Sequence, residues 1–148
     1  MQEALHSKIE GYIAKNGEII IPALLIVQEM GIVKEMTLLL DTGAASTIIS
    51  QGDAEAMGLD YSELEKGIPA LGIGGVSEVY ILKNASLSFV SGKWLIVKTI
   101  NRLEVIKHDV KDPIIQKALK SLPSLLGRDI LGTRFKISSD GKNVTIDL

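Results

Sequence analysis

The stretch Met36-Thr37-Leu38-Leu39-Leu40-Asp41-Thr42-Gly43-Ala44-Ala45-Ser46-Thr47-Ile48-Ile49 decides how this chain is read. Its opening is mostly apolar and of strand length, and its last three residues are β-branched. Between them one carboxylate stands at the head of a turn built from small residues. Removing a charged carboxylate from water is costly, so Asp41 at the end of a buried strand calls for an explanation. The plain one is that Asp opens turns through its side chain. The chemical one is that a carboxyl group can activate water or donate a proton.

Working outward, Glu18 to Gln28 reads as a strand rich in Ile, Leu and Val. Gly31 breaks it, and Ile32 to Leu40 reads as its partner. Thr47 to Ile49 is a further short strand. Ser50 is placed to cap a helix with Asp53 three residues on, and Gly58 to end it after Met57. Leu59 to Pro69 is polar and irregular. Lys66 to Leu71 and Val76 to Lys83 flank glycines and predict a hairpin. Ala85 to Phe89 and Lys93 to Ile100 predict another, turning at Ser91-Gly92. Asp112-Pro113 starts a helix over Ile114 to Leu119, and Pro123 ends it before a strand at Ser124 to Leu126. Phe135 to Ile137 and Val144 to Ile146 flank the hairpin signal Asp140-Gly141. The spacing of Leu5, Ile9, Tyr12 and Ile13 predicts a short amphipathic helix over residues 2 to 14. Many short strands and few helices point to a closed or sandwiched β-fold.

Two further segments carry a resemblance: Leu71-Gly72-Ile73-Gly74-Gly75-Val76 and Leu125-Leu126-Gly127-Arg128-Asp129-Ile130-Leu131. With Leu39-Leu40-Asp41-Thr42-Gly43-Ala44 they resemble, in order, the catalytic turn, Gly-rich flap and apolar-apolar-Gly-Arg-Asp segment of the retropepsin family of aspartic proteases. The match spans roughly residues 36 to 131. It implies an all-β, retropepsin-like closed barrel with one to three short helices, here a single domain over 1–148. It also implies an endopeptidase in which Asp41, Thr42 and Gly43 are catalytic. Ala44, Gly72, Ile73, Gly74 and Gly75 would then contact substrate, while Gly127, Arg128 and Asp129 support the site. Stretches longer than those of retroviral enzymes, near residues 50 to 57 and 112 to 119, resemble cellular and prokaryotic members more.

Hydrolysis by carboxylates needs two of them sharing one proton, because neighbouring carboxyls resist ionising together. This chain has one Asp-Thr-Gly. A single copy requires a homodimer in which Asp41 meets its mate on a two-fold axis, as the resemblance also implies. Thr42 would donate across that axis. The strand Val144 to Asp147 would pair with its mate and cover an exposed edge. Many retroviral members carry Asp where Ala45 stands, and that Asp pairs with the arginine. Arg128 must therefore find Asp129, Glu55 or a carbonyl. The same departure keeps a second class open, a dimerising or peptide-binding module without useful turnover.

Other readings are bounded by composition. Net charge is −2, which gives no electrostatic case for nucleic acid or acidic membranes. With no cysteine, thiol nucleophiles, disulfides and thiolate metal sites are excluded. The glycines at 72, 74 and 75 also suit a plain turn, but no Lys-Ser/Thr follows for a phosphate loop. His6 and His108 lack metal-ligand spacing and read as surface residues, so no metal and no organic cofactor are expected. Trp94 is expected in core or dimer packing, and residues 107 to 112 in a solvated loop. Charges interrupt the N-terminal stretch, and Ile19 to Val27 is too short to span a bilayer. The expectation is a cytoplasmic protein acting on peptides or proteins.

Overall fold

The computed structural model of the protein describes residues 8–72 and 75–148. Strands β1 (Lys8–Ile13), β2 (Ile19–Val27), β3 (Ile32–Leu40) and β4 (Ile48–Ile49) precede helix α1 (Gln51–Ala56). A 3-10 turn at Tyr61–Glu63 leads to β5 (Glu65–Lys66), β6 (Ala70–Gly72), β7 (Gly75–Ser91) and β8 (Trp94–Lys107). Helix α2 (Pro113–Lys120), β9 (Ser124–Leu126), helix α3 (Arg128–Leu131), β10 (Lys136–Ser139) and β11 (Asn143–Asp147) complete the chain. Among the described residues no helix is long and apolar enough to cross a membrane.

Six strands close on themselves in the order β2-β3-β9-β4-β8-β7, with Leu24 to Ile26 of β2 pairing Ser88 to Ser86 of β7 to seal the ring. The closure gives the all-β barrel that the resemblance implied. Alternation on β2 turns Ile21, Ala23, Leu25 and Val27 inward. They meet Leu38, Ile49, Leu87, Phe89, Leu103 and Leu126, so aliphatic side chains fill the interior. Each such fully buried side chain contributes about 1.5–3 kcal/mol by leaving water.

β9 inserts between the two strands that bracket Asp41. It runs parallel to β3, pairing Leu38 to Leu40 with Ser124 to Leu126, and antiparallel to β4 at Ile48. Ser50 caps α1 as expected, its hydroxyl accepting from Asp53 N–H at 3.2 Å. The Asp112 carboxylate caps α2 through Ile114 N–H and Ile115 N–H. α2 lies so close to α1 that a Cβ on Gly52 would sit 2.0 Å from the Lys120 carbonyl oxygen.

Three expectations are corrected. Residues 8–13 are strand rather than helix: β1 pairs β11 along its length and β2 at its end, and buries Ile9. Residues 2–7 of the expected helix lie outside the described residues. Second, the two separate hairpin arms at 76–83 and 85–89 are one strand. Asn84 adopts a left-handed φ of 53° without shifting the β7–β8 register, and the turn falls at Gly92-Lys93. Third, β11 is no free edge, because β1 and β10 flank it within the chain.

Candidate active site

β3 delivers Asp41. Its N–H donates to the Leu126 carbonyl at 3.0 Å, one step beyond the Leu40–Leu126 pair, so β9 fixes where the strand ends. The turn then closes on the carboxylate. Gly43 N–H donates to Asp41 Oδ1 at 2.9 Å, and Ala44 N–H to the Asp41 carbonyl at 3.2 Å. A Cβ on Gly43 would lie 3.2 Å from that carboxylate oxygen, so glycine eases the approach. Asp41 and Ala44 are half-buried, while Thr42 and Gly43 are exposed.

The segment β9–α3 clamps this loop from behind. A Cβ on Gly127 would lie 2.5 Å from the Ser46 carbonyl, closer than side chains approach backbone, so only glycine fits. Arg128 N–H donates to the Ala44 carbonyl at 2.9 Å and Asp129 N–H to the Ala45 carbonyl at 3.2 Å. Of the three partners considered for Arg128, the guanidinium takes a carbonyl, donating from Nη1 to Thr42 at 3.0 Å. Asp129 instead accepts from Thr47 N–H, Thr47 Oγ–H and Ile130 N–H, at 2.9, 2.7 and 2.9 Å. Thr47 Oγ1 in turn accepts from Gly127 N–H at 3.0 Å. Thr47 is thus the buried hinge pin of the clamp. Sequence reading saw it only as the start of a strand; its hydroxyl at the foot of the turn was the available signal.

The glycine-rich hairpin forms. Ala70, Leu71 and Gly72 pair Ser77, Val76 and Gly75, while Ile73 and Gly74 lie outside the described residues. Leu71 and Val76 are 84% and 65% exposed, an apolar pair displayed to solvent. Asp41, Thr42, Gly43 and Ala44 are thus brought together with Gly127, Arg128 and Asp129. Among the described residues no hydrogen bond joins the hairpin to them.

Trp94 is 79% exposed at the tip of the β7–β8 hairpin, which removes the core half of its expectation and leaves dimer packing open. His108 is half-buried rather than on the surface, its Nδ1 3.0 Å from Ser77 Oγ, and burial pushes its pKa below the ordinary histidine value. His6 lies outside the described residues. A cavity of about 710 Å³ opens between Pro22, Leu24, Glu35, Val90 and Leu95, and its lining includes no residue of the Asp41 loop.

Residues 33–133 match the family model described as "gag-polyprotein putative aspartyl protease", a span holding the Asp41 loop, the hairpin and the clamp. The chain belongs to this family. Its fold matches the crystal structure of a retropepsin-like aspartic protease from Rickettsia conorii at TM-score 0.56 and 20% identity, over 96% of this chain and 91% of that one. EIAV protease complexed with an inhibitor aligns at TM-score 0.44 and 19% identity, over 76% and 83% of the two chains. The retroviral protease-like domain of Ddi1 from Leishmania major aligns at TM-score 0.46 and 15% identity, over 84% and 91%. No curated protein matches the sequence. As a retropepsin-like aspartic protease by family and fold, this chain carries the family's Asp-Thr-Gly intact.

Proposed function

We propose that the protein is an aspartic endopeptidase whose dyad is made by Asp41 from each of two copies. One observation carries the reading. The Asp41 carboxylate is held by a backbone amide on a clamped loop whose next two residues are exposed, and the sequence contains no second Asp-Thr-Gly. A two-fold axis beside Thr42 would set the two carboxyls in contact, where like charge keeps one protonated. The ionised carboxyl takes a proton from water as the water oxygen bonds to the peptide carbonyl carbon. The protonated one gives its proton to the carbonyl oxygen. Collapse of the tetrahedral intermediate breaks the C–N bond, with a proton passing to the leaving amine. Water is the nucleophile, and no metal or cofactor takes part.

Thr42 would donate to the partner's backbone, and Ala44 would line the substrate chain. The hairpin, with Gly72, Ile73, Gly74 and Gly75, would cover an extended peptide and bond its backbone. Exposed Leu71 and Val76 favour substrates with apolar side chains near the scissile bond. Ala45 favours a second reading, a peptide-binding dimer with weak turnover, because it stands where many retroviral members carry Asp.

The deciding measurement is cleavage of an apolar peptide library by wild-type protein and by Asp41→Asn, with inhibition by a statine-type peptide that mimics the tetrahedral intermediate. Cleavage that is lost in the variant, blocked by statine and indifferent to chelators carries the proposal. Peptide binding without cleavage selects the second reading. Activity retained in Asp41→Asn ends both the dyad and the mechanism.

A further inference from the structure

The β7–β8 ladder runs without a slip from the Ser91–Trp94 pair to the Glu78–Lys107 pair and stops there. One more step of the same register would set Ser77 opposite His108. The backbone rung is missing at that step because His108 turns away: its N–H donates to Gln51 Oε1 of α1 at 2.9 Å, and its carbonyl accepts from Gln116 Nε2 of α2 at 3.0 Å. Gln116 Nε2 also reaches the Val110 carbonyl, holding the departing chain down. In place of the rung stands a side-chain bond, His108 Nδ1 to Ser77 Oγ at 3.0 Å.

Ser77 is also the β7 residue that faces Ala70 at the base of the glycine-rich hairpin. On its other side the hairpin is secured by backbone, through Gly67 N–H to the Val79 carbonyl and the β5–β7 pairs. On the β8 side, Ser77–His108 is the contact at the point where the hairpin leaves the barrel. Gln51 is 5% exposed and opens the helix that follows the Asp41 loop by way of β4. A chain of polar contacts therefore runs from the hairpin base through His108 to α1, whose Ser50 and Asp53 bond Ser124 of β9, the strand beside β3.

We propose that His108 is a positioning residue that latches Ser77, and with it the described base of the glycine-rich hairpin at Ala70–Gly72 and Gly75–Ser77, to the α1–α2 platform, and so sets how firmly that base is held when a peptide binds. The proposal rests on the peptide-binding role given to the hairpin above. The serine hydroxyl both donates and accepts, so the latch survives a change in the ring's protonation. Loss of one hydrogen bond changes a local opening equilibrium about fivefold, which is the scale the exchange measurement reads.

Amide hydrogen exchange across residues 66–80 of the peptide-free full chain tests the latch without requiring activity. Ser77→Ala and His108→Ala are each expected to speed hairpin exchange about fivefold, with β2 and β3 unchanged. The double variant should match the single ones, because both remove the same bond. His108→Asn, whose side-chain amide puts a polar atom where Nδ1 stands, should restore most of the protection. Where peptide cleavage is measurable, KM should rise more than kcat falls. Unchanged hairpin exchange in Ser77→Ala, or additive effects in the double variant, overturns the latch. An inactive wild type with the exchange pattern as expected overturns the protease reading and leaves the latch standing.

Discussion

Asp41 is held by two kinds of restraint, a backbone amide on its carboxylate and a strand partner on its own N–H. Asparagine keeps a side-chain oxygen for the Gly43 amide, so Asp41→Asn should fold and self-associate normally. Peptidase activity should nevertheless fall by about 10²–10⁴-fold, the scale of lost acid–base catalysis; matched kinetics and thermal melts of the two proteins check both halves. Gly127 tests the clamp from the other side. A methyl group there meets the Ser46 backbone, which has no rotamer with which to yield. Gly127→Ala should destabilise by about 1–3 kcal/mol in urea titrations, the ordinary scale of overpacking. Tyr61 supplies a pH signature. Burial first, then Glu55 and Tyr80, raise its pKa to about 12, while its hydroxyl donates to the Ile106 carbonyl. The folded state therefore keeps the proton after the unfolded chain has begun to lose it near pH 10. Stability is unaffected below that range and falls between about pH 10 and 12. Tyr61→Phe should flatten this alkaline decline in denaturant titrations.

At the scale of elements, the C-terminal strand behaves differently from its sequence. Alternation in β11 is real, with Val144 and Ile146 buried. Both of its edges, however, are occupied by β1 and β10 of the same chain. Deleting residues 143–148 should therefore unfold or aggregate the protein rather than release clean monomers, because two strands lose their partner and two core side chains go with them. Circular dichroism and sedimentation of the truncated chain distinguish these outcomes. The helix caps are local by comparison. Asp112→Ala removes two bonds to the first turn of α2 and should cost about 1 kcal/mol, with no effect on the barrel.

At the scale of the whole molecule, the proposed dyad needs two copies, because the chain holds a single Asp-Thr-Gly. Specific activity should rise with protein concentration around the dimer dissociation constant, measured by kinetics beside sedimentation. Mixing wild type with an equal amount of Asp41→Asn gives a sharper result. Random exchange leaves about a quarter of dimers fully wild type. Activity should drop to that level if each site needs both copies, and to about half if each chain works alone.

What the sequence by itself determined is whatever depends on neighbours along the chain. The β2–β3 pair, the Ser50 and Asp112 caps, the β10–β11 hairpin (its turn one residue later than expected, at Gly141-Lys142) and the Asp41 loop were all legible, because periodicity, caps and turn chemistry act within a few residues. The requirement for glycine at 127 was legible from the resemblance, although the Ser46 carbonyl that imposes it was not. Only the tertiary structure decided that residues 8–13 are strand. Their helical spacing is overruled by pairing with a strand more than a hundred residues away, and Gly11 fits there because a Cβ would strike the Ile20 carbonyl. Tertiary structure likewise carried β7 straight through Asn84, gave Arg128 a carbonyl where no acid was supplied, and seated Thr47 and His108 at junctions. These are contacts between segments distant in sequence, and no local preference of either segment encodes which partner the fold will bring.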